Sequence, residues 1–265
     1  MADLIFTVEG HIARITLNRP ESLNSFSEEM LDLWINALEE VRDSEEIRVM
    51  VLSGNGKGFC AGGDIKAMAA GKGFYISDKD TTSTALARKN ALWKRIHRIP
   101  LLLQEIDKPV IAKMHGVAFG AGLDMTLMCD IRIAAESTRV CESYLNVGIV
   151  PGDGGAYYLP RLIGTDKALD MFWTGKVLTA PEAKEAGILT YVVKDDELDS
   201  FTEEYLQKLV NGPQEAIKFT KRALYQGKEM SLRSSLDMIS SFMGIVTELD
   251  DCKQRVQAVV NRKKS

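Results

Sequence analysis

The order of hydrophobic and polar positions predicts a β-hairpin and then a helix at the start of the chain. Residues 4–8 (LIFTV) and 11–17 (HIARITL) are β-rich runs, and Glu9-Gly10 between them is typical of a tight turn. Ser27 then precedes a stretch in which apolar residues recur at helical spacing: Met30, Leu31, Trp34, Leu38 and Val41.

Two buried strands further along the chain each lead through glycines into a helix. The strand at 48–54 (RVMVLSG) is followed by a glycine turn and a helix start in GKGFCAGGDIKAMAA, residues 56–70. The strand at 110–116 (VIAKMHG) turns through further glycines into the apolar helix LDMTLMCD, and another strand, IRIAAES, follows it. This alternation predicts an α/β fold with parallel strands.

The remaining segments are predicted to be one loop and a series of helices. Residues 71–83 (GKGFYISDKDTTS) are polar and contain glycine, which favours a loop, and a long amphipathic helix is predicted at about 84–104. From Gly164 onward the pattern is almost entirely helical. We therefore expect a strand-bearing core over residues 1–200 and a C-terminal helical region over 201–265.

Composition excludes several classes of partner and cofactor. Of 265 residues, 45% are hydrophobic and 26% charged, and the net charge of −4 argues against a nucleic-acid partner. No apolar run is long enough to cross a bilayer and no signal-peptide pattern opens the chain, so no membrane partner is expected. The four cysteines are scattered without a C-x-x-C spacing, which indicates reduced thiols and a cytoplasmic location. None of the three histidines pairs with another as H-x-x-x-H, so no metal site is expected.

Two glycine turns carry the first candidate chemistry. SGNGKGFCAGGDI (53–65) and MHGVAFGAGLDM (114–125) each pass from a buried strand into the first turn of a helix, where backbone N–H groups are free. Two such turns facing each other could direct two N–H groups at one oxygen and stabilise an enolate or a tetrahedral oxyanion. Alternatively, the glycines only allow tight turns. Neither turn matches a P-loop or G-x-G-x-x-G, and no G-x-S-x-G elbow occurs.

Five motifs in the same order resemble the crotonase superfamily, the enoyl-CoA hydratase/isomerase family. They are NRPESLNSF (18–26), GKGFCAGGDIKAM (56–68), residues 108–138, VGIVPGDGGAYYLPRLIG (147–164) and LTAPEAKEAGIL (178–189). The resemblance covers nearly the full chain. It implies a spiral of ββα units followed by C-terminal helices that build a homotrimer or a dimer of trimers. It also implies an acyl-CoA thioester substrate, no metal and no cofactor apart from the coenzyme A of the substrate.

The resemblance also implies roles for the glycine turns. The N–H groups of Cys60 and Ala121 would form the oxyanion hole for the thioester carbonyl. The backbone of one segment would lie along the CoA moiety: Cys60, Ala61, Gly62, Gly63 and Asp64. The thiol of Cys60 is expected to be a bystander, and His97 and His115 do not match catalytic positions of the family.

The acid and base positions depart from the hydratases of the family, which carry glutamates at the positions of Asp124 and Tyr144. Asp124 lies on an otherwise apolar helix, where desolvation raises a carboxyl pKa into the range useful for proton transfer, unless it only caps or pairs locally. Asp153, in P-G-D-G-G, lies one residue from a catalytic aspartate of the dienoyl-CoA isomerases and the chlorobenzoyl-CoA dehalogenase, although aspartate is also ordinary turn chemistry.

Two further residues near this turn are candidates. Tyr144 is expected either to line the acyl pocket or to donate a hydrogen bond. Glu142 would share a face with Tyr144 if the segment is extended, because side chains alternate along a strand, and it could then replace the missing glutamate.

Three functions remain open from the sequence. The preferred one is hydration of an α,β-unsaturated acyl-CoA, with Asp124 and Asp153 as general base and acid, because Asp124 keeps an acid at the hydratase position. The same two aspartates could instead shuttle a proton in an enoyl- or dienoyl-CoA isomerase. The third alternative is an acyl-CoA-binding protein without catalysis.

Overall fold

The computed structural model describes residues 1–70 and 84–262, and within these ranges nine strands form two sheets. The strands are β1 (Leu4–Glu9), β2 (Ile12–Leu17), β3 (Val49–Gly54), β4 (Val110–Met114), β5 (Val117–Phe119), β6 (Ile131–Ala135), β7 (Arg139–Cys141), β8 (Val177–Thr179) and β9 (Tyr191–Val193). The helices are α1 (Glu28–Asp43), α2 (Ile65–Ala69), α3 (Thr84–Ala91), α4 (Arg98–Glu105), α5 (Ala121–Leu127), α6 (Gly155–Ile163), α7 (Thr165–Thr174), α8 (Ala180–Glu185), α9 (Leu198–Val210), α10 (Gln214–Gly227), α11 (Leu232–Glu248) and α12 (Asp250–Arg262).

The predicted hairpin and first helix are confirmed. β1 and β2 pair antiparallel across a turn in which Gly10 and His11 have φ of 55° and 70°. The Ser27 side chain accepts a hydrogen bond from the Met30 amide, so it caps α1 as the sequence suggests.

The main sheet has the order β1-β2-β3-β4-β6-β9, and its strands from β2 to β9 are parallel, as predicted. β3 is buried on both faces. Met50 and Leu52 pack into the larger core with α1, whereas Val49 and Val51 face a second cluster that includes Leu206 of α9. Burial on both faces explains why this strand is a continuous apolar run in the sequence.

Four short strands were not predicted. β5, β7 and β8 form a second sheet in the order β5-β7-β8, and β9 closes one edge of the main sheet. β8 and β9 lie in the part of the chain predicted to be almost entirely helical. Each of these four strands has three residues. Such a segment is too short to show the alternation on which strand prediction depends.

The helix predicted at about 84–104 is interrupted. α3 ends at Ala91, a π-helical turn follows over Leu92–Ile96, and α4 begins at Arg98. Pro100 accounts for the interruption, because proline lacks an N–H and its ring clashes with the carbonyl of the preceding turn. The loop predicted at 71–83 lies outside the described residues.

The C-terminal helices α10, α11 and α12 carry many exposed apolar side chains. Leu232 and Met243 on α11 are 76% and 58% exposed, and Val256 and Val259 on α12 are 58% and 55% exposed. None of the helices in the described ranges is both long enough and apolar enough to cross a membrane.

Candidate active site

The two glycine turns meet in the structure. The Cys60 amide donates to Val117 O at 3.0 Å, and the Phe119 amide donates back to Cys60 O at 3.0 Å, so the first turn pairs with β5 as a short parallel bridge. Gly122 lies against this bridge, since a Cβ added there would be 2.3 Å from Cys60 O. Glycine at 122 therefore allows the start of α5 to touch the first turn.

This pairing decides which amides of the first turn are free. The amides of Cys60 and Ala61 donate to Val117 O and Leu23 O, and the Gly62 amide points at Cys60 Sγ at 3.3 Å. The Gly63 amide has no acceptor within residues 1–70 and 84–262. The expectation that Cys60 supplies an oxyanion-hole amide is therefore wrong, because the bridge to β5 uses that N–H.

Gly63 is the residue that the sequence analysis missed for this role. A Cβ added to Gly63 would meet no atom within 4 Å, so its backbone faces open space. Its neighbour Gly62 touches the start of α5, since a Cβ added there would lie 3.1 Å from the Ala121 nitrogen. Ala121 is the first residue of α5, and its amide has no partner within the helix. The amides of Gly63 and Ala121, neither of which has an acceptor within the described ranges, thus lie near each other where the turns meet.

The remaining groups of the first turn have structural contacts. The Cys60 thiol is buried and donates to Asn24 O at 3.0 Å. Burial raises the pKa of this thiol to about 12, which agrees with a bystander role because only a thiolate is a good nucleophile. Asp64 caps α2 by accepting from the Ala67 amide at 3.0 Å, and it lies 3.6 Å from Arg19.

The candidate acids converge around Tyr144. Asp124 comes from the first turn of α5, Tyr144 begins a short 3-10 helix (Tyr144–Val147), and Asp153 lies in the turn before α6. The Tyr144 hydroxyl is 2.6 Å from Asp124 Oδ2 and 2.8 Å from Asp153 Oδ2. All three side chains are at most 6% exposed.

The glycines of the P-G-D-G-G turn allow this turn to pack closely against α5. A Cβ on Gly155 would lie 2.0 Å from Asp124 Oδ1, and one on Gly154 would lie 2.7 Å from Met128 Cε. The His97 ring, in the interrupted helix, contacts Gly152 O through Nε2 at 2.8 Å. His97 thus makes a structural contact with the Asp153 turn.

Burial shifts the pKa values of both aspartates upward. Desolvation, followed by repulsion from Asp153, raises the pKa of Asp124 to about 7, although the Tyr144 hydroxyl and the nearby Gly155 amide act in the opposite direction. Desolvation also raises the pKa of Asp153, opposed by the Tyr144 hydroxyl and the charge of His97. An acid with a pKa near neutrality can both accept and return a proton at that pH.

Glu142 joins the same cluster, but not for the predicted reason. The segment is not extended: β7 ends at Cys141 and a 3-10 helix begins at Tyr144. Glu142 is fully buried, and desolvation together with repulsion from Asp124 raises its pKa to about 10. In the described part of the chain, no group of His, Cys, Asp and Glu side chains could hold a metal ion.

Comparisons with known proteins agree with this architecture. The family model for enoyl-CoA hydratase/isomerase matches residues 7–265. The short-chain-enoyl-CoA hydratase of Clostridium acetobutylicum is 30% identical over 263 residues, covering 99% of this chain and 96% of that protein. The 1,2-epoxyphenylacetyl-CoA isomerase of Escherichia coli (strain K12) is 30% identical over 265 residues, covering 99% and 97%.

A solved structure gives the same result for the fold. The crystal structure of the enoyl-CoA hydratase of Mycobacterium smegmatis superposes with a TM-score of 0.87 at 29% identity, over 99% of this chain and 97% of that one. The mixed α/β architecture is thus a crotonase-type fold. With a family match over almost the whole length and the same fold, the chain belongs to the enoyl-CoA hydratase/isomerase family of enzymes.

Proposed function

We propose that this enzyme shifts the double bond of an enoyl-CoA thioester through an enolate held by two backbone amides. The observation that carries the proposal is the Tyr144 hydroxyl, which lies 2.6 Å from Asp124 Oδ2 and 2.8 Å from Asp153 Oδ2. One phenol thereby links two buried carboxyls into a single proton path. A double-bond shift needs such a path, because a proton leaves one carbon and returns to another.

The enolate oxygen is the first requirement of this chemistry. The amides of Gly63 and Ala121, which have no acceptor in the described part of the chain, are the best candidates to receive it, since both lie where the two glycine turns touch. Removing one such donor typically reduces kcat by about 10²–10³. The thioester carbonyl would bind there, with the CoA moiety along the backbone from Ala61 to Asp64.

The proton balance of the reaction closes within the cluster. One aspartate removes a proton from C2, and the electron pair moves onto the thioester oxygen as a dienolate. A proton returned at C4 leaves the double bond conjugated with the carbonyl, so no other reactant is consumed. Tyr144 can accept a hydrogen bond from one aspartate while donating to the other, which lets the proton pass between Asp124 and Asp153 without water.

Hydration is the second candidate, and it was the preference from the sequence. It is supported by the acid at Asp124, where the hydratases resembled by this chain carry a glutamate. A relative named as a hydratase is also as similar to this chain, at 30% identity, as one named as an isomerase. Against hydration, the Tyr144 hydroxyl fills the gap between the two carboxyls where an attacking water would be activated.

Two thioesters separate these reactions. We expect the purified protein to convert a 3-enoyl-CoA into the conjugated isomer, seen as a rise in near-ultraviolet absorbance without a change in mass. With crotonyl-CoA, hydration would lower that absorbance and add the mass of one water. Asp124→Asn and Asp153→Asn should each reduce isomerisation by about 100-fold or more.

The outcomes lead to different conclusions. Turnover of crotonyl-CoA alone would make hydration the activity. Binding of both thioesters with turnover of neither would leave an acyl-CoA-binding protein. Full activity in both asparagine variants would remove the aspartates from the mechanism.

We also propose that the enzyme works as a homotrimer or a dimer of trimers in the cytoplasm. The support for the assembly is the set of exposed apolar side chains on α11 and α12, because many large apolar side chains left exposed on neighbouring helices usually mark a protein interface.

A further inference from the structure

Glu142 is a buried acid of the cluster that the proton path described above does not use. It is 0% exposed, and neither of its carboxyl oxygens has a well-aligned hydrogen-bond donor among the described residues. The same holds for Asp124 Oδ1. Three buried carboxyl oxygens without donors are costly if both groups are ionised, so these atoms require an explanation.

The three oxygens belong to two neighbouring carboxyls. Glu142 lies within hydrogen-bonding reach of Asp124, and this contact raises the pKa of Glu142 and lowers that of Asp124. An ionised carboxylate can only accept hydrogen bonds, so two carboxyls bond to each other only when one of them holds a proton. A single shared proton therefore supplies the missing donor.

The surroundings decide which acid holds that proton. Four titratable groups lie close enough to Glu142 to interact with its charge: Asp124 on α5, Asp153 before α6, Tyr144, and the Cys141 thiol at the end of β7. No lysine or arginine of residues 1–70 and 84–262 offsets the burial and the acidic neighbours that raise the pKa of Glu142. Asp124 Oδ2 accepts from the Tyr144 hydroxyl at 2.6 Å, whereas neither Glu142 oxygen has a donor in the described residues, so an ionised Asp124 is better stabilised than an ionised Glu142. The proton therefore stays on Glu142.

We propose that Glu142 is a positioning residue of this reaction: as a neutral acid it donates a hydrogen bond to Asp124 and keeps Asp124 ionised as the proton acceptor. The inference rests on the proposed enolate chemistry, in which Asp124 exchanges a proton with the substrate. Asp124 then accepts from Glu142 and from Tyr144, and the two bonds together fix the orientation of its carboxylate.

The protonation state can be tested without any turnover. At mildly alkaline pH, below the pKa of Glu142, we expect wild-type protein to show the infrared carbonyl band of a buried protonated carboxylic acid. Glu142→Gln should remove the part of this band that comes from Glu142, seen as a loss in the difference spectrum between wild type and variant. Glu105→Gln is the matched control, because Glu105 is paired with Arg42 at 2.7 Å near the surface and the band should persist. Absence of the band from wild type, or a band of unchanged intensity in Glu142→Gln, overturns the proposal whatever the substrate proves to be.

The coupling to Asp124 is tested by pH–rate profiles. Glu142→Leu removes the donor, so the pKa of Asp124 rises and the acidic limb of kcat moves up by about one pH unit. Turnover at neutral pH then falls roughly fivefold, since a smaller fraction of Asp124 is ionised. Glu142→Gln keeps an amide N–H as donor, so its acidic limb should stay near that of wild type and most turnover should remain.

Two results would contradict the positioning role. Equal and severe losses in both variants would mean that the Glu142 carboxyl itself transfers a proton. An unshifted acidic limb in Glu142→Leu would mean that Glu142 only fills space. If Glu142→Leu does not fold, the infrared band and the pH–rate profile of Glu142→Gln still test whether Glu142 is a neutral donor to Asp124. If wild-type protein shows no turnover, that result contradicts the proposed function, and the infrared band still tests the protonation of Glu142.

Discussion

Tyr144 defines the difference between this site and the hydratases that the chain resembles. A phenol cannot replace the glutamate found there as an acid, because burial and the surrounding carboxyls raise the pKa of Tyr144 well above its usual value and keep it neutral. It can, however, donate one hydrogen bond and accept another. Of the two roles predicted for Tyr144, the structure contains the hydrogen bond: the hydroxyl lies between the Asp124 and Asp153 carboxyls and donates to one of them at a time.

Tyr144→Phe tests this bridge. Losing the hydroxyl removes the group that hydrogen-bonds to both Asp124 and Asp153, so both carboxyl pKa values rise and the proton path is broken. We expect kcat to fall by about 100-fold. KM should change little, because the hydroxyl contacts carboxyls rather than the proposed thioester site. The residual activity should show its acidic limb at higher pH than wild type, measured by steady-state kinetics over a pH series.

An unchanged kcat in Tyr144→Phe would contradict the bridge. Thermal unfolding serves as the control, since a folded variant with the wild-type midpoint shows that any loss of activity is local.

The side chains of the site were easier to predict than its backbone donors. Asp124 and Asp153 were singled out because an acid on an apolar helix or in a glycine turn is unusual, and they lie together. The choice of Cys60 over Gly63 could not be corrected from sequence. Which amide stays free depends on a bridge between the first turn and β5, a strand of three residues that begins far along the chain.

The role expected of the Ala121 amide, as a donor to the thioester oxygen, can be tested by substitution at the start of α5. Ala121 is the first residue of α5, where proline is tolerated because the amide there has no helical partner. Ala121→Pro therefore removes the proposed donor while keeping the helix. We expect a loss of about 10²–10³ in kcat on the accepted thioester. Ala121→Gly keeps the N–H and should retain turnover.

Both variants should show wild-type circular dichroism. Comparable activity in Ala121→Pro and Ala121→Gly would exclude the Ala121 amide from the oxyanion site. Loss of activity in both would indicate that the side chain, and not the N–H, matters at this position.

The order of the main sheet explains why distant segments meet at one site. β3 and β4 are adjacent and parallel, so the turns that follow them emerge at the same edge. These two strands were predicted because their apolar runs are long enough to be recognised as buried strands. β8 and β9 were not predicted, since each is three residues long and is held by pairing with strands far away in the chain.

The C-terminal helices expose apolar side chains that we expect to be buried between copies of the chain. Leu236 and Met243 on α11 are 54% and 58% exposed, and a lysine there would be costly if the face is buried between copies. We expect wild-type protein to run as a trimer, or as two trimers, in gel filtration with light scattering. The double variant Leu236→Lys with Met243→Lys should run as a smaller species. Val8→Lys is the control, since Val8 lies on the edge strand β1 at 39% exposure, where a lysine is well tolerated. A monomeric wild type, or a double variant of unchanged mass, would show that this face is not the interface.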